Sequence, residues 1–458
     1  MIKIKVLLVR PQAPNMLNFT KILDNEPLEL EYLYTGLKNS NISSYIFDGL
    51  VEKSKFSQVF IDEKPDVVAI TGYITQQNLM LDFCKKTKSL NPKAVTIVGG
   101  VHAQLNYKEF YKNEVDYIYR SECVNDFVNL VNLIKNDMQT EQNLSSINGL
   151  CFRNKNGEFI NNELVSIDIN SLPIPDRTHF YKNISSYRYL NLTEVATMKT
   201  AFSCPYNCNF CYCTLLNSGK YQARNLDLVI EELKNLKCQN VQIVDDDFLV
   251  DKKRLWDFID LVKKNNINKT YICYARADFI SKNADIVKAL ADIGFKYFLV
   301  GLEAVNDEEL ENFNKQTTKY MNEKCISVIN ETSADCIGLM IAPIDADAKY
   351  FENMYNWIVK NNLKYVTVSM FTPILGTPLY EEYKHKIISN DIEDWDFLHL
   401  VLEPTKLTKW QFYSEYNKLF LKLYKIAKDT GIYDFMNISF YKNMLTGYLS
   451  SKIKGGKI

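Results

Sequence analysis

Unbroken apolar runs of four to six residues, each followed by a stretch with apolar residues at helical spacing, constrain this 458-residue chain more than any other feature. DVVAIT at 66–71 and AVTIV at 94–98 show no alternation of polar and apolar residues, so both faces of such strands must be covered. With further strands at 5–9, 44–47 and 115–119 and helices at 28–38 and 80–90, the first 135 or so residues predict a doubly wound, flavodoxin-like parallel sheet. Sheets of this kind place ligands at the carboxyl ends of their strands. The loops there are 71–78, Gly99-Gly100-Val101-His102-Ala103 and Arg120-Ser121-Glu122. A double glycine after a buried strand lets backbone approach a large planar ligand, although an ordinary tight turn needs the same residues.

The alternation resumes further on, with strands expected at 194–200, 241–244, 270–275, 297–301, 335–341 and 365–370 and helices such as 226–236 and 254–263. Six units predict a partial (β/α)6 barrel rather than the full eight. Residues 136–190 carry few apolar runs, a hairpin signal at 150–160 and the Pro-rich LPIPDR at 172–177. The expected division is therefore 1–135, a hairpin and linker at 136–190, a barrel at 191–380 and a helical extension at 381–458. In that extension Trp410, Tyr413, Tyr416, Phe420 and Tyr424 recur at three- and four-residue steps. Such a stripe predicts core that closes the open side of the barrel. Lining a substrate, with Trp395 and His399 just upstream, is the competing reading.

Composition narrows the function classes. A net charge of −1 gives no global basic field, so nothing argues for nucleic acid. Eleven cysteines without the spacing of a small cross-linked scaffold argue against a disulfide framework and for a reducing, cytoplasmic setting. MIKIKVLLVRPQ reads as a first strand rather than a signal peptide, and no apolar run approaches the roughly 20 residues of a membrane span.

The chemistry is concentrated in AFSCPYNCNFCYC. Cys204, Cys208 and Cys211 form C-x3-C-x2-C, three thiolates from one polar turn and one fewer than usually closes an iron–sulfur cluster. A cluster so held keeps an open iron. Zinc prefers paired C-x2-C or Cys/His spacings, and no second pair lies nearby. Cys213 follows the motif as a neighbour rather than a ligand. Later strands of the same half also end in polar residues: Asp245-Asp246-Asp247, Arg276 to Asp278, and Gly301-Leu302-Glu303.

With Phe210 before its third cysteine, the motif resembles that of radical S-adenosylmethionine (SAM) enzymes. PLELEYLYTGLK, PDVVAITGYIT, VGGVHA and DYIYRSE resemble, in order, the cobalamin-binding domain preceding many of them. VGLEAVNDEELENFNKQTT, FTPILGTPLY and DWDFLHLVLEPTKLTKWQFY are similar to the cobalamin-dependent members, through about residue 425. The similarity is greatest to the hopanoid C-3 methylase-like group, and weaker to the enzyme forming the isocyclic ring of bacteriochlorophyll.

This resemblance implies a [4Fe–4S] cluster on Cys204, Cys208 and Cys211, SAM chelating its open iron, and cobalamin. It implies Asp245 or Asp246 for the SAM amino group, Glu303 for ribose hydroxyls and Arg276 for the carboxylate. A salt bridge from Arg276 to Asp278 or Asp247 competes with the last. For cobalamin it implies Thr71, Tyr73, Gly99, Gly100, His102 and Glu122. Tyr73 is expected on the lower side of the corrin, while His102 meets the nucleotide tail or plays a structural part. The chain departs from one cobalamin pattern: Asp48 is followed by Gly49 and Leu50, and D-x-H-x-x-G is absent, so no imidazole is expected beneath cobalt.

The implied reaction is reductive cleavage of SAM to a 5′-deoxyadenosyl radical, hydrogen abstraction from an unactivated carbon, and methyl transfer from methylcobalamin. The expected enzyme is a C-methyltransferase acting on a small-molecule or lipid-like substrate, with a flavodoxin- or ferredoxin-type electron donor. A cobalamin-assisted cyclase or rearrangement enzyme is the alternative, and a non-catalytic sensor a third. A methylthiotransferase is set aside, because Cys84, Cys123 and Cys151 fall on a helix, a loop and a strand rather than forming a second cluster motif. From Phe435 onward the chain has no acidic residue but carries Lys442, Lys452, Lys454 and Lys457, with Phe440, Met444 and Leu445 at helical spacing. A basic amphipathic terminus suits peripheral contact with an anionic membrane, and a helix docked on the barrel is the alternative.

Overall fold

The computed structural model describes residues 4–11 and 23–432. Strands β1 (Lys5–Arg10), β2 (Ser43–Asp48), β3 (Val67–Thr71), β4 (Val95–Gly99) and β5 (Tyr117–Tyr119) lie in the order β2-β1-β3-β4-β5, all parallel. Every residue of β3 is buried, as its unbroken apolar sequence requires. Helices α1 (Leu28–Asn39), α2 (Phe56–Glu63), α3 (Gln77–Leu90) and α4 (Val124–Lys135) cover the two faces. Leu30 and Leu37 of α1 and Phe127 and Val131 of α4 pack with Val6, Leu8, Val67 and Ala69. Phe56 and Phe60 of α2 and Met80 and Cys84 of α3 pack with Leu7, Val9, Val68 and Ile70 on the other. Alternate residues of one strand thus feed opposite cores, which is the doubly wound sheet expected. The hairpin β6 (Leu150–Arg153) and β7 (Phe159–Asn161) joins beyond β5 as an antiparallel edge, giving seven strands.

The second sheet runs β8 (Val195–Met198), β9 (Asn240–Ile243), β10 (Thr270–Arg276), β11 (Phe295–Glu303), β12 (Asp335–Ala342) and β13 (Tyr365–Met370), parallel and in sequence order. Among the described residues β8 and β13 do not pair with each other, so the barrel of six units is open. Helices α5 (Leu226–Asn235), α6 (Lys252–Lys264), α7 (Ala284–Asp292), α8 (Lys319–Asn330) and α9 (Ala348–Lys360) bury their apolar faces against its outside. Their starts are set by sequence: Asn225, Asp251, Thr318 and Asp347 each accept a hydrogen bond from a first-turn N–H of α5, α6, α8 and α9. Val195, Ile272, Tyr297, Leu299 and Ile337 fill the inside, near the amino ends of the strands.

A buried polar seam fixes one sheet on the other. The Glu26 carboxylate, just before α1, accepts from the Thr197 backbone N–H of β8 at 2.6 Å and from Arg177 Nε at 2.7 Å. Arg177, of LPIPDR, also donates to Glu232 of α5 at 2.7 Å, and Glu232 pairs with Arg224. Glu31 of α1 accepts from the Phe180 N–H at 3.1 Å, and Tyr187 donates to Asp48 at the end of β2 at 2.8 Å. Burying these charges favours the assembled state only while each keeps its partner.

The extension differs from its expectation. Residues 384–408 carry short 3-10 turns and one antiparallel bridge, Ile387 to Leu402, and among the described residues one helix, α10 (Lys409–Lys428), follows. It packs on α9 and β13 through Phe412, Tyr416, Leu419 and Leu423, so it takes the place of the helix after the sixth strand. The aromatic stripe is only partly core. Tyr416 is buried and donates to the Val368 carbonyl at 2.6 Å, whereas Trp410 leaves 68% of its surface exposed. The packing stripe is rotated toward Phe412 because that ring meets Phe351 of α9 edge-on at 5.4 Å. The basic terminus from Phe435 lies outside the described residues.

Candidate active site between two sheets

The carboxyl ends of both sheets open on one cavity. It encloses about 1310 Å³, part of it open to solvent. Leu30, Leu33, Ala69, Ile97 and Phe127 make an apolar slot inside the first domain, and Thr71, Tyr73, Gly99 and Gly100 form its rim. Lys199, Phe202 and Val244, from the mouth of the barrel, complete the wall. Gly100 has φ +88°, and a Cβ there would lie 2.4 Å from Thr71 Oγ1 and 2.9 Å from the Gly72 backbone N. Only glycine holds that turn open. Tyr73, which lines this cavity, leaves 60% of its surface free, yet enclosure by surrounding protein pushes its phenol up.

Two acceptors on the wall, Glu122 Oε2 and Gln104 Oε1, are buried without a hydrogen-bond partner. Burial pushes the Glu122 carboxyl up to about 7, with Lys199 across the cavity opposing the shift. His102 is placed differently. It is buried away from the cavity, its Nε2 2.6 Å from Gln77 Oε1 and its Nδ1 3.3 Å from Asn106 Nδ2, edge-on to Phe110. Burial lowers it to about 4, so it is a neutral strut between α3 and the short helix Val101–Leu105. No histidine lines the cavity among the described residues.

The cysteine loop follows β8. Its backbone is fastened from outside: the Asn209 N–H donates to the Phe313 carbonyl at 3.0 Å, Asn314 Nδ2 to the Asn207 carbonyl at 2.7 Å, and the Leu379 N–H to the Asn209 carbonyl at 3.2 Å. Phe210 stands edge-on to Phe313 at 5.3 Å, within an apolar cap that includes Phe371, Trp395 and Ile74 of the first domain. Among the described residues no three His, Cys, Asp or Glu side chains are gathered to hold a metal ion. The Cys211 thiol is turned to Cys213, a hydrogen bond that lowers it, and burial pushes Cys204 up to about 12. The donor set still suits an iron–sulfur cluster: three soft sulfurs on one loop, cations beside them and no fourth ligand.

The acidic run divides by face. Asp245 accepts from the backbone N–H groups of Thr200 and Ala201 at 2.6 and 2.9 Å and from the Thr200 hydroxyl, so its carboxylate shapes the approach to the cysteine loop. Asp246 and Asp247 each keep a buried, unpartnered Oδ2. Burial raises the Asp247 carboxyl to about 7, against Arg276. Arg276 donates to Asp278 at 2.9 Å, the salt bridge that competes with its expected SAM-carboxylate role, and also to the Lys315 carbonyl and to Cys208 Sγ at 3.5 Å. It lies 3.7 Å above the ring of Tyr206.

Glu303 ends β11 at a bulge, where Gly301 and Glu303 face consecutive residues of β12 and Leu302 is skipped. Its φ of +59° folds the carboxylate back over Gly301, where it accepts from Lys315 Nζ at 2.8 Å. A Cβ on Gly301 would lie 2.4 Å from that carboxylate and 2.6 Å from the lysine. Sequence reasoning missed Lys315, Asp247 and Lys199. Asp247 was visible as the third acid of the run, but which acid faces inward depends on the twist of the turn. Lys315 sits in an irregular stretch with no periodicity to place it.

Comparison with known proteins agrees with this geometry. Residues 20–131 match the B12 binding domain and residues 198–358 the radical SAM superfamily. The chain is 25% identical over 421 residues to the hopanoid C-3 methylase of Methylococcus capsulatus, covering 90% of this chain and 79% of that one. It is 23% identical over 448 residues to the anaerobic magnesium-protoporphyrin IX monomethyl ester cyclase of Cereibacter sphaeroides, covering 94% and 72%. Among solved structures, the cobalamin-dependent SAM radical enzyme OxsB with aqua-cobalamin bound superposes with a TM-score of 0.72 at 15% identity, covering 97% of this chain and 72% of that one. The radical SAM methyltransferase TsrM of Kitasatospora setae, with cobalamin and a [4Fe–4S] cluster bound, gives 0.67 at 14%, covering 93% and 89%. The chain is a radical SAM enzyme with an amino-terminal B12-binding domain.

Proposed function

We propose that the chain is a cobalamin-dependent C-methyltransferase that methylates an unactivated carbon of a small-molecule or lipid-like substrate. One observation carries the reading: the slot of the first domain and the mouth of the barrel share a single cavity, with Gly100 on one wall and Lys199 on the other. A group bound in the slot therefore faces the end of the barrel that bears the cysteine loop. The cofactors, when bound, supply reductive SAM cleavage to a radical and a cobalt-borne methyl group; the residues of the chain hold and orient them.

Cys204, Cys208 and Cys211 would hold the cluster, and binding would replace the Cys211–Cys213 contact. The unpartnered Oδ2 atoms of Asp246 and Asp247 suit the cationic amino group of SAM, and the Glu303–Lys315 pair suits its ribose and carboxylate. Thr71, Tyr73, Gly99 and Gly100 would cradle the corrin. Glu122 and Gln104 offer unpartnered acceptors to amide N–H donors on its periphery. Phe210, Phe313, Phe371 and Trp395 form an apolar cap over the cysteine loop that would keep water from the reacting carbon. A one-electron donor of flavodoxin or ferredoxin type is the implied partner. No helix among the described residues is long and apolar enough to cross a membrane, and a cytoplasmic enzyme with at most peripheral membrane contact fits.

Anaerobic reconstitution with cobalamin, reductant and trideuteromethyl-labelled SAM, supplied with extract from cells lacking the gene, tests this. The expected result is a product heavier by one labelled methyl group. A product formed with 5′-deoxyadenosine but without label supports instead the cyclase reading, which the 23% identity to a ring-forming cyclase favours.

A further inference from the structure

We propose that Arg276 and Lys315 set the electron affinity of the cluster through Cys208, one as an N–H···S donor and the other as a neighbouring ammonium. The inference rests on the cluster assignment above and adds a role for two cations that ligation alone does not need. The guanidinium of Arg276 is held at four points: Nε by Asp278, Nη2 by the Lys315 carbonyl, its face by Tyr206, and Nη1 directed at Cys208 Sγ 3.5 Å away. A side chain so fixed, and only 5% exposed, is pre-organised for the sulfur. Lys315 is also buried, its ammonium 2.8 Å from Glu303 and 5.8 Å from the centre of the Phe210 ring. One strap thereby supplies both effects, since the backbone of Lys315 anchors the arginine and its side chain brings the second charge.

The three sulfurs differ. Cys208 is the one whose Sγ faces the Arg276 guanidinium, with Nη1 3.5 Å away. Reduction of the cluster adds one electron to a group already negative through its three thiolates. Hydrogen bonds and positive charge at a ligand sulfur stabilise that added charge and raise the potential. Arg276 and Lys315 therefore ease delivery of an electron from a low-potential one-electron carrier, and do so from one side of the site.

Potentiometric titration of the reconstituted full chain, read by EPR of the reduced cluster, tests this without turnover. Relative to wild type at the same poise, Arg276→Gln is expected to lower the ratio of reduced to oxidised cluster about tenfold, equivalent to 59 mV for a one-electron couple. Lys315→Gln should shift it the same way by less, and Arg276→Lys should fall between wild type and Arg276→Gln. Asp278→Asn, which removes the carboxylate neutralising Arg276, should shift it the opposite way. Unchanged potentials in Lys315→Gln and Asp278→Asn, with full cluster iron, overturn the proposal even if Arg276→Gln fails to take up a cluster. Wild-type protein that binds no iron would refute the cluster assignment instead, a distinct result.

Discussion

The two walls of the cavity are built on different principles. The first-domain wall works by shape: Gly99 and Gly100 hold backbone back, and apolar side chains from α1, α4 and the sheet line a slot. The barrel wall works by charge: Asp246 and Asp247 with buried, unpartnered oxygens, Arg276 against Cys208, and Lys315 beside Glu303 surround the cysteine loop, and Lys199 lines the cavity. A shaped slot can exist without its ligand because apolar lining carries no unpaired charge. A set of like-charged thiolates cannot, since burial keeps such groups protonated until a metal compensates them. The contrast predicts that the first site is largely formed before cobalamin arrives and the second closes around its cluster.

The largest expected effect lies on the barrel side. Replacing Cys204, Cys208 and Cys211 together with alanine should abolish cluster iron and SAM cleavage while cobalamin still binds, as iron analysis and the cobalamin absorption spectrum would show. Loss of cobalamin as well would mean the walls are not independent. Gly100→Val is the mirror experiment. Its side chain would collide with Thr71 and with backbone at a positive φ, so cobalamin affinity should fall at least about a hundredfold with cluster iron intact.

Next in size is the seam between the sheets. Arg177→Met leaves the buried Glu26 carboxylate without its cationic partner and Glu232 with Arg224 alone, and should cost about 3–5 kcal/mol in denaturant unfolding. A cost below about 1 kcal/mol would show that the seam is dispensable. On the barrel wall, Glu303→Ala should weaken SAM binding with the cluster retained, and an unchanged dissociation constant would move the ribose contact elsewhere.

The smallest effect concerns Glu122, whose carboxyl burial raises to about 7. Its neutral form favours the fold, so this contribution is full below the ordinary glutamate range and is lost as pH rises through 7. Glu122→Gln should remove that fall, leaving the variant more stable than wild type at pH 8 by roughly 1–3 kcal/mol in the absence of cobalamin. A wild-type stability flat from pH 5 to pH 8 would contradict it.

The difference between the walls also explains what could be read in advance. Strand and helix positions follow local hydrophobic patterning, so the run at 66–71 and the strand Val67–Thr71 agree within one residue, and six barrel strands were foreseen. The Gly99-Gly100 turn was legible because a positive φ demands a specific residue. Charge networks were not. Glu26 and Thr197 are 171 positions apart, and nothing in either neighbourhood announces the bond. Asp245 and Asp246 are adjacent, yet one caps backbone and the other keeps an unpartnered oxygen, a division set by the direction of a turn. The Arg276–Asp278 salt bridge was open from sequence as the alternative to a SAM-carboxylate contact, but the contact with Cys208 required the fold.

The most direct test of the account is reductive SAM cleavage by the anaerobically reconstituted full chain beside its Cys204, Cys208 and Cys211 alanine variant, with 5′-deoxyadenosine as the readout. The account predicts 5′-deoxyadenosine from the wild-type chain and none from the variant. Equal formation by both, or a variant that retains a full complement of iron, would contradict it.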